Sequence, residues 1–227
     1  GIHCLVEKPL TDTREQAEDL VAIANEKKLI LQVGHVERFN PAIIKAQEYV
    51  DRPAFIEVYR LGPFDPRTRH IGVIMDLMIH DIDIILSLVR SPVTKLEGYG
   101  ARILSSHEDI AKVRLRFNNG CVADLSASRI SLQRYRKIRI FQPASYISLD
   151  YIKPSLKIYR KKRPSIESLS DLEIIKPRLK KQEPLVNEIE HFIACIKSGK
   201  KPKVTGEHGR DALELAIEIF NNLVFNS

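Results

Sequence analysis

Two acidic and basic pairs in this sequence have the types and spacing for proton transfer. Asp76 and His80 lie in "IMDLMIHDIDIILSLV", and Lys8 lies in "LVEKPL" beside Glu7 and Pro9. Asp76 and His80 stand at i and i+4, so on a regular helix both project from one face. A carboxylate beside an imidazole raises its basicity and fixes its tautomer, which suits a general base. An isolated pair of this kind is more often a surface pair or a satisfied core histidine. Here the flanking residues are apolar almost all round, so burial is expected, and unpaired buried charge is costly. A zinc site built from Asp76, His80 and His70 is a weaker reading because the third ligand is not clustered with the others. No metal site is expected.

Lys8 ends an apolar run stopped by Pro9. At the carboxyl end of a strand in a parallel sheet, where ligands bind, a lysine can donate to a hydroxyl and stabilise the alkoxide that forms. Taken alone, a surface lysine at a strand end is the commoner case. Arg38 and Asn40 in "GHVERFNP" follow a second apolar run and are expected at the same rim.

The elements that must position these groups can be read from periodicity. "LVEKPL" is a strand, "TDTREQAEDLVAIANEKK" an amphipathic helix with capping-box spacing at Thr13 and Gln16, and "LILQVGH" a second strand. Strand, helix, strand is a βαβ unit, which belongs to a parallel sheet. A helix "AIIKAQEYV" and a strand "AFIEVYRL" follow, then the loop "GPFDPRTRHIG" and the apolar helix of Asp76 and His80. The pattern then changes to successive strands, with a hairpin signal at Asn119-Gly120. Such strands indicate a mostly antiparallel sheet. A charged connector covers about residues 163–183, and two helices close the chain, the first ended by Gly199. The expected fold is α+β: residues 1–36 as the end of a larger α/β domain, residues 37–227 as an open-sheet domain with flanking helices.

The 227 residues are 44% hydrophobic and 29% charged, ordinary for a globular protein with a sizeable core. No apolar run reaches the ~20 residues of a membrane span. Three well-separated cysteines suggest neither a disulfide framework nor a zinc site, and a reducing cytoplasm is the expected compartment. The net charge of +7 gathers in "RYRKIRI", "KIYRKKRP" and "KPRLKK". Two of these fall on alternating strands and none carries a nucleic-acid-binding pattern, so no nucleic-acid partner is expected.

Three blocks occur in one order along the chain: "VEKPLTDT" through "LILQVGH" to "RFNPA", then "DLMIHDIDIIL", then "SGKKPKVTGEHGRDALELA". Together they resemble the Gfo/Idh/MocA family of NAD(P)-dependent sugar and polyol oxidoreductases. The resemblance implies that Lys8 hydrogen-bonds the reacting carbinol, His80 takes its proton, and Asp76 supports the histidine and orients the sugar. It also implies that Glu7, Lys8, Pro9, Arg38 and Asn40 line NAD or NADP, that the Lys8-Pro9 bond is cis, and that the open sheet builds a homodimer or homotetramer.

The family's glycine-rich dinucleotide turn, with an acidic residue ~20 positions later, does not occur in this sequence. The chain therefore resembles the last βαβ of a Rossmann domain plus the whole substrate domain. As given, it is expected to bind the dinucleotide weakly and to be inactive alone.

For the substrate, Arg67, Arg69 and His70 precede the Asp76 helix, and Arg129, Arg134 and Tyr135 follow a strand expected beneath the same cleft. Guanidinium groups suit phosphate oxygens. "RLGPFDPRTRHIG" followed by "DLMIHDID" is similar, within the family, to enzymes that oxidise the 3-hydroxyl of UDP-N-acetylglucosamine, which implies a nucleotide-sugar substrate. A free sugar or polyol such as inositol is the alternative, as is a binding or oligomerisation module without activity.

Overall fold

The computed structural model describes residues 1–225. Strand β1 (Cys4–Glu7) pairs in parallel with β2 (Leu31–Gly34), joined by helix α1 (Arg14–Glu26). Thr13 caps α1 by accepting the Gln16 amide at 3.3 Å, as its spacing predicts. The Lys8-Pro9 peptide is cis. A 3₁₀ turn at Val36–Phe39 then leads to α2 (Pro41–Gln47), with Asn40 as its N-cap and Pro41 at its first position.

The rest is one nine-stranded sheet with helices on one side. Its strands are β3 (Phe55–Leu61), β4 (Val93–Ala101), β5 (Ile110–Phe117), β6 (Val122–Ser128), β7 (Tyr135–Gln142), β8 (Ser145–Asp150), β9 (Ser155–Lys161), β10 (Leu172–Ile175) and β11 (Leu223–Phe225). They are ordered β10-β9-β8-β7-β3-β6-β5-β4-β11. All neighbours are antiparallel except β3 with β6 and β4 with β11. The expected hairpin joins β5 to β6, with Gly120 at φ 86°, a conformation glycine adopts without steric cost.

Alternation along the strands decides what faces what. In β3, Ile56, Val58 and Arg60 are buried while Phe55, Glu57, Tyr59 and Leu61 lie on the other face. The buried side packs against α3 (Ile79–Val89) and α5 (Gly206–Asn221), forming a core with Ile82, Ile85, Leu115, Ile140 and Ala216. A smaller core joins Ala17, Val21 and Val33 of the βαβ unit to Val204 and Leu213. Helix α4 (Pro184–Ser198) ends at Gly199 in the left-handed region, as expected.

Three elements differ from the sequence expectation. Helix α2 stops at Gln47, before Tyr49 and Val50. The connector contains β10, and β11 follows α5 where only helix was expected. Both strands are three or four residues long, and their definition comes from ladder bonds to β9 and β4 rather than from any local pattern.

Candidate active site

The helical stretch that carries Asp76 and His80 begins with a π turn over Ile74–Met78, in which the Ile79 amide bonds the Ile74 carbonyl, and only then becomes α3. The buried Glu108 anchors its start by accepting the Ile74 amide at 3.1 Å. Gly72 makes room for that carboxylate, since a Cβ there would overlap it. The wider turn changes the register that the i, i+4 spacing assumes, and wide turns of this kind recur at functional sites.

Asp76 bonds to Lys8, not to His80. Lys8 Nζ donates to the Asp76 carbonyl at 2.5 Å and lies 3.5 Å from Oδ1, the two side chains being 16% and 24% exposed. The ammonium from the carboxyl end of β1 is thus fixed against the first turns of the His80 helix. Burial lowers the Lys8 pKa, and Asp76 partly restores it. His80 has a buried Nδ1 without a hydrogen-bond partner among the described residues. Burial, then the charges of Arg60 and Lys8, push its pKa well below the usual value. That direction is opposite to the raised basicity expected from an Asp76–His80 pair, and it leaves His80 a neutral imidazole at neutral pH.

A second imidazole, unnoticed in the sequence, stands beside it. His35 directly follows β2, is 1% exposed, and sits edge-to-face with His80 at 6.0 Å between ring centroids. Neither His35 nitrogen has a hydrogen-bond partner among the described residues. Burial, Arg38 and Lys8 hold its pKa down at about 3. Only the end of an apolar strand marks its position in the sequence.

The remaining expected residues divide by where their side chains point. Arg129 and Arg134 line a cleft beside Asp76, together with Arg60 and Arg136. Arg129, however, is 3% exposed and gives its donors to Asp109, Ser105 and the carbonyls of Thr68 and Ile71. It clamps the loop ahead of the His80 helix. Arg67, Arg69 and His70 are exposed on that loop outside the cleft lining, with Arg67 held by Asp65 at 2.8 Å. Tyr135 lies on the opposite face of the sheet, where it meets Tyr59 edge-to-face at 5.8 Å. Strand parity explains this: Ile138 and Ile140 of β7 point inward, so Arg136 does too and Tyr135 cannot.

At the βαβ edge, Glu7 is exposed and packs so close to Gly34 that a Cβ there would lie 2.8 Å from its Oε2. Arg38 and Asn40 are buried and committed internally. Arg38 bonds Asp83 at 3.2 Å and the Lys203 carbonyl at 3.4 Å, and Asn40 caps α2 and donates to Glu37. Beneath the cleft, Asp81 grips Arg60 with bonds of 2.7 and 2.8 Å, and Glu37 takes a third at 3.1 Å. The described residues hold no group of three or more potential metal ligands.

The sequence and fold match known proteins. A family model for the GFO/IDH/MocA C-terminal domain matches residues 51–145, and one for the NAD-binding Rossmann fold of the same oxidoreductases matches residues 1–35. The UDP-N-acetylglucosamine 3-dehydrogenase of Acidithiobacillus ferrooxidans is 36% identical over 220 residues, 96% of this chain and 70% of that protein. The chain belongs to the Gfo/Idh/MocA family. It is an oxidoreductase that uses a nicotinamide dinucleotide. A solved structure of the Acidithiobacillus enzyme superposes with a TM-score of 0.91 at 34% identity, over 97% of this chain and 71% of that one. The scyllo-inositol 2-dehydrogenase (NAD(+)) of Bacillus subtilis is 27% identical over 98% of this chain and 68% of its own length. As in other Gfo/Idh/MocA chains, an α/β unit is followed by an open-sheet domain.

The residues at the βαβ edge fit one end of a dinucleotide. They offer the carboxyl ends of two parallel strands, a neutral buried imidazole whose nitrogens have no partner among the described residues, and Lys8.

Proposed function

We propose that the protein oxidises the 3-hydroxyl of a UDP-N-acetylhexosamine to a ketone. The observation that carries this reading is that Asp76, which holds Lys8, lines one cleft with arginines from β3 and β7. The 36% identity to an enzyme named for UDP-N-acetylglucosamine 3-dehydrogenation supports it.

In this reading Lys8 donates to the reacting hydroxyl oxygen, and its charge stabilises the alkoxide. His80, uncharged before reaction, accepts the hydroxyl proton. The cations that depress its basicity, Arg60 and Lys8, are offset as negative charge builds on the oxygen between them. Asp76 holds Lys8 and orients the sugar. Glu7, Lys8 and Pro9 line the cofactor edge directly. Arg38 and Asn40 act from behind it by fixing the turn that follows His35. When bound, NAD(P) supplies the hydride acceptor.

The face of the sheet away from the helices is proposed to build a homo-oligomer. It carries a row of aromatic rings, Phe141 on Tyr146 at 4.8 Å and Tyr146 on Tyr159 at 5.3 Å, with Phe55 beside Phe141 at 6.2 Å.

The test is an assay, with NAD and with NADP, of this chain joined to a complete dinucleotide-binding domain of the family, against UDP-N-acetylglucosamine and scyllo-inositol. Reduction of the dinucleotide by UDP-N-acetylglucosamine is expected. Turnover of inositol alone would replace this substrate with a polyol.

A further inference from the structure

The cleft beside Asp76 is lined by four arginines and two aspartates, and two of the arginines face each other across neighbouring strands. Arg60 of β3 and Arg136 of β7 are directly opposite each other in the antiparallel ladder. Like charges so placed repel and destabilise a sheet unless something compensates them. Arg60 is compensated within the protein, by both oxygens of Asp81 and by Glu37. Arg136 is not. Its nearest carboxylate is the same Glu37 oxygen, at 3.9 Å, and its guanidinium has no hydrogen bond among the described residues. The side chain is 35% exposed, so the unpaired donors are accessible from the cleft they line.

Three other charges of the cleft are already matched: Asp76 pairs with Lys8, Arg129 with Asp109, and Asp65 with Arg67. Arg134, two residues before Arg136 and on the same cleft wall, has no ion pair among the described residues. Two guanidinium groups with free donors therefore face the space next to Asp76. Burial and Arg60 both disfavour the charge on Arg136, so a ligand anion would be doubly welcome there.

We propose that Arg136, with Arg134, is the wall that binds the diphosphate of a nucleotide-sugar substrate, and that it selects against neutral polyols. This deepens the substrate reading above and rests on it. A diphosphate offers two negative groups and oxygen pairs that match the planar fork of guanidinium. A neutral polyol closing the same cleft leaves two partly desolvated cations without partners, which is costly. Held by its diphosphate on β7, a nucleotide-sugar reaches past Asp76 with its sugar toward Lys8 and His80.

Isothermal titration of the full chain with UDP and with uridine tests the assignment without redox turnover. Arg136→Ala is expected to weaken UDP binding roughly 10- to 100-fold, the scale of a lost charged hydrogen bond. Uridine, which lacks the diphosphate, should bind equally to both proteins. Arg139→Ala, the same charge removed from the same strand but beside Glu57 on the outer face, should leave UDP binding unchanged. Should Arg136→Ala fail to fold, Arg136→Lys keeps the charge, loses the fork, and is expected to weaken UDP several-fold. Unchanged UDP affinity in the folded variant, an equal loss for uridine, or no UDP binding by the unaltered protein overturns the assignment. The broader reading is separable. UDP-N-acetylglucosamine oxidised with the same KM in Arg136→Ala removes this role and leaves the substrate standing, whereas oxidation of inositol alone removes both.

Discussion

The Lys8 ammonium bonds the main chain of Asp76 at 2.5 Å, tying the end of β1 to the π turn that begins the His80 helix across 68 residues of sequence. The contact joins the α/β unit to the sheet domain at the point where the chemistry is proposed. Lys8 has a fixed partner, whereas His80 Nδ1 has none among the described residues, which supports the proposed division in which Lys8 holds charge and His80 accepts a proton.

Replacing either should show that division. His80→Asn and Lys8→Ala are each expected to lower turnover at least ~100-fold, the usual scale for acid–base groups, with the substrate KM changed much less. Steady-state kinetics with NAD(P) check this. Near-normal rates in both variants would remove the assigned roles.

Gly72 sets the start of the helical stretch that carries His80. Gly72→Ala places a methyl group where the Glu108 carboxylate bonds the Ile74 amide, and must displace it. We expect a loss of roughly 1–3 kcal/mol in stability, the cost of an unsatisfied buried group, together with reduced turnover. Urea denaturation alongside the assay would reveal a wild-type midpoint if the displacement is tolerated.

Buried His35 makes stability depend on acid. Its folded pKa, about 3, lies below the unfolded value near 6.5, so the unfolded chain binds more protons. Its contribution is complete above about pH 6.5 and is lost as pH falls from there toward 3, by up to ~1.4 kcal/mol per pH unit. A His35→Phe variant should show a shallower decline in urea midpoint between pH 6.5 and 5 than the unaltered protein. Parallel curves would place the His35 charge outside the folding equilibrium.

Glu188 has the opposite sign. It is 1% exposed, and burial, followed by the charge of Glu7, raises its carboxyl to about 7. Stability from this group is present below the unfolded carboxyl range and is lost as pH rises toward 7. Glu188→Gln should therefore be more stable than the unaltered protein at pH 8, by about 1–3 kcal/mol, and indistinguishable near pH 4. A thermal melt at the two pH values decides it, and a destabilised variant at pH 8 would count against the assignment.

Tyr135 faces away from the cleft, so Tyr135→Ala should leave turnover and substrate KM within about twofold of normal. Its effect is expected in the oligomeric state, read by sedimentation, because it packs on Tyr59 in the exposed aromatic face.

Much of this organisation was legible along the chain. The βαβ unit, the Asn119-Gly120 hairpin, the Thr13 cap and the run of antiparallel strands each follow from short-range pattern. Short-range pattern is what hydrophobic periodicity and turn chemistry encode. The identities of Lys8, Asp76 and His80 as chemically able residues were equally visible, because residue type is local information.

Their partnerships were not. The i, i+4 spacing suggested Asp76 for His80, and the tertiary structure gave Asp76 to Lys8 through a π turn that periodicity does not distinguish from α. Of the arginines expected at the substrate, Arg129 is consumed by Asp109 and Arg67 is held by Asp65. Arg60 and Arg136, which the sequence did not single out, line the cleft. The first is gripped by Asp81, and the second comes no nearer to a carboxylate among the described residues than 3.9 Å from Glu37. Which charge meets which is decided by strand register and by residues distant along the chain. The energy of a buried ion depends on the neighbours that folding supplies, and those neighbours have no fixed spacing from which to read them.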